Sequence, residues 1–457
     1  MALSDILSYA WHQLPVRTLL LAYGALIIGR SVYRIWFHPL ARFPGPLLAK
    51  VTWYWEGYKE LVERVSMAHE LVELHKKYGE IMRIGPNQLH FARPSAYHEI
   101  YNQSIRWDKA AMQYHNFGIN NALVCNLTYR NSKERKDILQ PLFSRRAIIS
   151  MQWLIQENAD KLCRRLAENN KNGKSSDIFL AARCFTLDTV FPFCYGRPLD
   201  TLDAEDFRAP IVEAMEGSME LSTGMKHFSL IRDTLQKIAP WLPHSSDVVL
   251  SGFVQLQNLL HKQVSDVIKH PERLNDAPYP TIYHALLQAP KDKPHLAPTW
   301  DSLYHEAMSL IFAGVDTTSN SLMLAIFNLV DRPDYVKRLQ EELWTAWPDL
   351  SSPPPKLEVL EKLPFLTGVA KEALRMSIGV PCPLYRVVPP SGATISGQFI
   401  PGGTIVGMSQ LIPQMSETIF EDPSTFNPDR WLQQDSSRLE PYLVAFSKGP
   451  RSCLGTK

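Results

Sequence analysis

The chain has 457 residues, 45% of them hydrophobic and 21% charged, a balance that belongs to folded proteins and excludes a disordered one. Its length exceeds the roughly 100–200 residues of a typical domain, which leaves room for one large helical unit. A formal net charge of +2 carries no polyanion signal, so no nucleic-acid partner is expected. Six scattered cysteines without a C-x-x-C pair suit a reducing compartment.

The N-terminus carries the only targeting signal. Thr18 to Gly29 is uncharged and includes Leu19, Leu20, Leu21, Leu26, Ile27 and Ile28. Twelve residues make a helix of about 18 Å, short of a hydrocarbon core of roughly 30 Å. Extension back to Ile6 supplies the length while admitting His12, Pro15 and Arg17. Arg30, Arg34, Arg42 and Lys50 follow, a cationic flank that keeps the body of the protein in the cytosol. No small-residue cleavage site stands out, so the expectation is a retained anchor over residues 1–37; the plain alternative is a buried helix. His38-Pro39-Leu40-Ala41-Arg42-Phe43-Pro44-Gly45-Pro46 then reads as a stiff, extended hinge over 38–46, because proline restricts itself and the residue before it.

In the remainder, 47–457, Ile81–Gly85 and Gln88–Ala92 read as strands around a Gly85-Pro86-Asn87 turn. A helical pattern runs from about 132 to 172 and through much of 205–271. Thr299 to Val330 is the longest helical candidate, preceded by Pro298, capped by Thr299 or Asp301 and ended by Arg332-Pro333. A helix of about thirty residues this apolar belongs at a protein's centre. Another helix is expected over Phe365–Ser377, then short strands over Tyr385–Val388, Ala393–Ile395 and Thr404–Met408. The fold class is α+β, predominantly helical with short sheets.

Four constellations carry chemistry. Midway along the long helix, Ala313-Gly314-Val315-Asp316-Thr317-Thr318 places small residues, an acid and hydroxyls where a stable buried helix would not. Thr317 lies four residues after Ala313, so its hydroxyl can take the Ala313 carbonyl and loosen the helix; a kinked core helix with one satisfied acid is the alternative. Glu372 and Arg375 are three apart on one helix face, with Arg430 available from a later loop. If buried, such a pair needs further hydrogen bonds; otherwise it is an ordinary surface pair. Arg130, Lys133, Arg135, Lys136, Arg145 and Arg146 form a basic run, a solvated face or a surface for an acidic partner. Last, Phe446-Ser447-Lys448-Gly449-Pro450-Arg451-Ser452-Cys453-Leu454-Gly455 offers a cysteine as a thiolate ligand for haem iron. There Phe446 can lie against the thiolate, Gly449 and Gly455 let backbone approach a planar macrocycle, and Arg451 can meet an anionic haem side chain.

This last spacing, with the other motifs in their order, resembles the cytochrome P-450 monooxygenases. The resemblance runs from the proline hinge to the cysteine loop, and Val387–Gly392 and Ile400–Thr404 look like filamentous-fungal microsomal members of secondary-metabolite pathways. It implies haem b with Cys453 as axial ligand, Ala313 and Gly314 against the haem, Asp316 relaying protons and Thr317 hydrogen-bonding dioxygen. Glu372, Arg375 and Arg430 become a structural lock. Arg386 and Arg451 match family positions for the haem propionates; at the third position Ser132 and Lys136 stand where the family has Trp or His and then Arg. Electrons would come from NADPH through a separate reductase drawn to the basic run, at an endoplasmic reticulum membrane. Substrate, an apolar small molecule such as a terpenoid or polyketide, is expected against Met112–Phe117, Phe312 and Val380–Leu384. In the family a long helix begins at the cysteine and a hairpin follows, whereas Lys457 comes four residues after Cys453. The expectation is therefore a C-terminally shortened member. Its rivals are a truncated or mis-spliced pseudoenzyme with little haem or turnover, and a haem protein that binds ligand without monooxygenation.

Overall fold

The computed structural model describes residues 16–102, 104, 106–115, 118–238, 248–288 and 296–456. Its longer helices in chain order are α1 (Val16–Val32), α2 (Met67–Tyr78), α3 (Tyr129–Leu139), α4 (Gln152–Lys171), α5 (Ile178–Tyr195), α6 (Pro210–Met225), α7 (Ser229–Ile238), α8 (Val248–Lys269), α9 (Trp300–Val330), α10 (Pro333–Ala346) and α11 (Pro364–Ser377). The strands are β1 (Ile81–Gly85), β2 (Gln88–Phe91), β3 (Asp108–Lys109), β4 (Arg386–Val387), β5 (Ala393–Ile395), β6 (Gln398–Ile400) and β7 (Ile405–Gly407). The chain divides into two compact units, residues 1–92 with 388–407, and residues 93–387 with 408–457. All six cysteines are free thiols.

In the first unit, β1 pairs antiparallel with β2, and β2 runs parallel to β7 with Leu89 opposite Val406. The hairpin β5–β6 turns at Ser396 and Gly397, both at positive φ, the geometry that two-residue hairpins favour. Strand β6 is an addition to the strands expected from sequence. Helix α1 continues as a wider π-turn over Tyr33–Phe37, and the apolar stretch Thr18–Phe37 is 20 residues long with none of it buried. It thus gains length forward, through Arg30 and Arg34, to about 30 Å; residues 6–15, the backward extension, lie outside the described residues. The hinge begins as a turn, with Ala41 N–H donating to His38 O and Phe43 N–H to Leu40 O, and becomes extended only at Pro44–Pro46. Arg83 anchors it: its N–H donates to Pro44 O, and its guanidinium to Arg34 O at 2.7 Å and Pro86 O at 2.6 Å. Gly45 is required there, since a Cβ would stand 2.1 Å from Arg83 O.

The second unit is helical around α5 and α9, which pack on each other through Leu187, Phe191, Leu303, Ile311 and Val315. Asp177 caps α5 by accepting from Phe179 and Leu180 N–H, and Gly196 ends it in the left-handed region. A helix buried on all sides has no amphipathic stripe to announce it, which is why periodicity alone does not reveal α5. Thr299 caps α9 by accepting from Ser302 N–H, as its position suggests. The expected helix over 132–172 is broken: α3 ends before Pro141, Ser144 starts a short helix, and α4 begins at Gln152. Phe312 is half-buried and packs against the core cluster of these helices.

Glu372 and Arg375 are fully buried, so they are not a surface pair. Arg375 donates to both Glu372 oxygens at 2.9 and 2.7 Å, and Arg430 donates to Oε1 at 3.0 Å. Trp431 Nε1–H and Asn427 N–H complete the shell. Burial alone would raise the Glu372 pKa, but these donors hold it below the usual carboxylate value. Gly368 lets α11 approach this loop, since a Cβ would lie 2.8 Å from Pro428 O. Glu372→Ala should destabilise the fold by about 3–5 kcal/mol, because it strands two buried guanidiniums. Urea denaturation of the variant against the parent measures this, and Glu372→Gln should cost less.

Candidate active site

Cys453 lies on an irregular loop closed by its own N–H donating to Phe446 O at 2.9 Å. Ser447 and Gly449 at positive φ turn the loop. Gly449 is small for a nearer reason than a macrocycle, since its Cβ would meet Asn102 O at 2.8 Å and Tyr101 O at 2.9 Å. Phe446 contributes its carbonyl, and Gly455 N–H points at the Cys453 sulfur at 3.3 Å. The sulfur borders a cavity of about 240 Å³ and is reachable from it, while the protein around it pushes its thiol pKa up; Gly455 N–H and Lys136 pull the other way. Among the described residues no group of three or more His, Cys, Asp or Glu is placed to hold a metal.

The same cavity is lined by Ala313 and Gly314 of α9, by Ser132 and Lys136 of α3, and by Lys109 and Arg451. Ala313 is exposed to it, and Thr317 Oγ1 donates to Ala313 O at 2.8 Å, the loosening that the spacing suggests. Gly314 serves helix packing as well: a Cβ there would lie 2.8 Å from Val190 of α5. Asp316 turns toward α5, 2.9 Å from Arg183 Nη2 but off the hydrogen-bonding angle. Burial raises the Asp316 pKa, and Arg183 partly offsets this.

Strands β3 and β4 set Lys109 opposite Arg386. Both are buried, and with Arg451 and Lys136 they form a group of four cations, none of them in an ion pair among the described residues. Lys109 donates to Val124 O at 2.6 Å and lies over the Tyr114 ring, and Arg386 donates to the Tyr114 hydroxyl at 2.8 Å. Arg451 donates to the carbonyls of Asn126, Leu127 and Thr128, and Lys136 to those of Pro450 and Ser452. Burial, and then repulsion from Arg386, pushes the Lys109 pKa well down and that of Arg451 to about 10. Buried like charges call for an anion, and two carboxylates beside a lone thiolate ligand match the donor set of a haem. The residues fit that group.

Lys109 carried no sequence signal, because its role depends on cross-strand pairing with Arg386. The basic run is largely spent: Arg130, Lys133 and Arg145 pair with Glu134, Asp137 and Glu361, and Arg135 donates to Ser302. Of the expected substrate contacts, Phe312, Val380–Leu384 and Met112–His115 do not line the cavity at Cys453; Asn116 and Phe117 lie outside the described residues. Lys109→Met should weaken haem binding at least about tenfold by losing a charge-assisted contact. Haem titration followed at the Soret band checks this, and melting of the haem-free variant should show no loss of stability.

Comparison with known proteins agrees with this geometry. Residues 44–457 match the family described as "Cytochrome P450". The monooxygenase flvC of Aspergillus flavus is 32% identical, over 96% of this chain and 86% of its own length. The monooxygenase MO6277 of Ascocoryne sarcoides is 31% identical over 97% and 89%, and the tryptophan 6-hydroxylase fscE of Fusarium equiseti 32% over 97% and 87%. With the Cys453 loop, the exposed Ala313 of α9 and the cations Lys109, Lys136 and Arg451 around one cavity, and with this similarity over nearly the whole chain, the protein belongs to the cytochrome P450 family of haem-thiolate monooxygenases.

Proposed function

We propose that this P450 monooxygenase inserts one oxygen atom of O₂ into an apolar small molecule of fungal secondary metabolism, a terpenoid or polyketide. The observation that carries the reading is the single cavity shared by Cys453, the exposed Ala313 face of α9 and three cations, Lys109, Lys136 and Arg451, with Arg386 next to Lys109 across the β3–β4 pair. Haem held there supplies the redox chemistry of oxygen activation, with a cysteine thiolate donating electron density to the iron. Arg386, Arg451, Lys109 and Lys136 would hold the two haem propionates. Thr317 holds its hydroxyl on the Ala313 carbonyl, where it would hold a proton beside the cavity. Asp316, tethered by Arg183, is the acid that brings protons to that point from the α5 side. The apolar wall of Leu310, Leu139, Phe143 and Phe193 excludes water and suits an apolar guest.

Electrons reach the site from NADPH through a separate reductase. Residues 1–37 anchor the chain in the endoplasmic reticulum membrane with the catalytic body in the cytosol, supported by the unburied apolar span and the cations at its end. Residues 38–46 serve as the hinge and 47–457 as the catalytic region.

The reduced carbon monoxide difference spectrum tests the assignment. The parent should show the thiolate signature and Cys453→Ala should abolish it; a histidine-like Soret band in the parent would refute the reading. Thr317→Ala should lower product formed per NADPH consumed at least severalfold, with peroxide or water released instead, and Asp316→Asn should slow turnover by roughly a hundredfold. Removal of residues 1–37 should move the protein from the membrane pellet to the supernatant with its haem spectrum intact.

A further inference from the structure

Two α9 residues outside the proton and haem machinery grip the same backbone. Glu306 is buried, and its Oε2 accepts from Leu123 N–H at 3.0 Å. Its neighbour His305 accepts from Asn121 N–H through Nδ1 at 3.3 Å, which makes the other ring nitrogen the protonated one. The segment they hold runs between two cavities. Ile119 and Asn120, with Tyr304 and Met308 of α9, line an outer cavity of about 470 Å³. Leu123 and Val124, with Glu306 and Ser309, line the inner one that holds Cys453. Glu306 stands seven residues before Ala313, two helical turns away on the same face.

We propose that Glu306 and His305 are positioning residues that clasp residues 121–123 onto α9, and that this clasp sets the width of the passage from the outer cavity to the reaction cavity and hence the size of substrate accepted. The proposal takes its functional meaning from the monooxygenase reading. Leu123 is the side chain that the clasp places: it faces the inner cavity, and its backbone N–H is held by a carboxylate rather than by a neighbouring carbonyl. The other side of the segment is held by donors, with Lys109 on Val124 O and Arg451 on Asn126 O and Leu127 O. On the α9 side the holders are acceptors, Glu306 and His305, and protonation weakens an acceptor, whereas Lys109 and Arg451 remain donors whatever their charge. Burial raises the Glu306 pKa to about 7; Arg135 of α3 and the Leu123 N–H oppose this, while Cys125, Cys194 and Tyr283 are the other titratable groups around it. A carboxylate accepts a stronger hydrogen bond than its acid, so the clasp tightens as pH rises through 7. Global stability moves the other way: with the folded pKa raised, ionising Glu306 removes stability as pH climbs from its ordinary value toward 7 and above.

Amide hydrogen exchange tests the clasp, and haem ligands test its consequence. In Glu306→Ala, exchange at Leu123 should accelerate about tenfold or more, and in Glu306→Gln, which keeps an acceptor oxygen, by less. After correction for intrinsic rates, parent protection at Leu123 should rise between pH 6 and 8, and that of Glu306→Gln should stay flat. In the haem-loaded protein, difference spectra give dissociation constants for imidazole, which is narrow, and for 4-phenylimidazole, which is wide. Glu306→Ala should change their ratio at least about threefold, with Glu306→Gln between it and the parent. Unchanged Leu123 exchange, or equal changes for both probes as general loosening would produce, overturns the proposal. Exchange that follows the clasp in a protein lacking the thiolate signature would support the clasp and refute the monooxygenase reading.

Discussion

Charge buried in protein must find its opposite, and the second unit resolves that constraint in two ways. At Glu372 the solution is complete, because Arg375, Arg430, Trp431 and Asn427 saturate one carboxylate and tie α11 to the loop that follows it. At Lys109, Lys136, Arg386 and Arg451 the chain assembles cations, with backbone carbonyls and a tyrosine hydroxyl as their acceptors. Carbonyl oxygens satisfy N–H groups but do not neutralise charge. The first arrangement makes a rigid scaffold. The second leaves cations without a paired carboxylate among the described residues, placed near Cys453 by the β3–β4 register and the 446–453 loop.

Helix α9 connects these arrangements to chemistry. Its small and hydroxylated residues divide their work by face. Ala313 faces the cavity and its carbonyl takes the Thr317 hydroxyl, Gly314 admits Val190 of α5, and Asp316 turns to Arg183 on that same helix. Two turns earlier, His305 and Glu306 reach the segment that walls the cavity. A single helix thus contributes Ala313 to the cavity, Asp316 to an ion pair with α5 and Glu306 to the Leu123 backbone, and its packing on α5 keeps these three in register. The basic run on α3 follows the same economy. Arg135 and Lys136 turn inward, and three of the remaining cations are neutralised by carboxylates, which leaves less field for an acidic partner than the composition of the segment suggests.

Much of this was legible in the chain, because the signals were local. The Cys453 loop, the Thr317–Ala313 bond and the Thr299 cap depend on residues within a few positions of one another, and side chains four apart on a helix meet whatever surrounds them. The Glu372–Arg375 spacing was equally plain, but burial was not: the same i,i+3 pair would read identically on a solvated surface. Helix α5 escaped notice because uniform burial erases periodicity. Gly314 and Gly449 could be recognised as close-approach positions, while the groups that approach them, Val190 and the 101–102 backbone, come from distant segments.

Sequence by itself determined the helical class with short sheets, the apolar N-terminal span, the thiolate loop and the loosened centre of α9, since each rests on the order of neighbouring residues. Only the tertiary structure decided that Lys109 joins Arg386 and Arg451, that Gly449 meets the backbone of residues 101–102, and that Glu306 closes on Leu123. These pairs are separated by up to hundreds of residues, and no propensity or spacing encodes their meeting. They follow from strand register and from helix packing, where a shift of one residue would turn each side chain to another face.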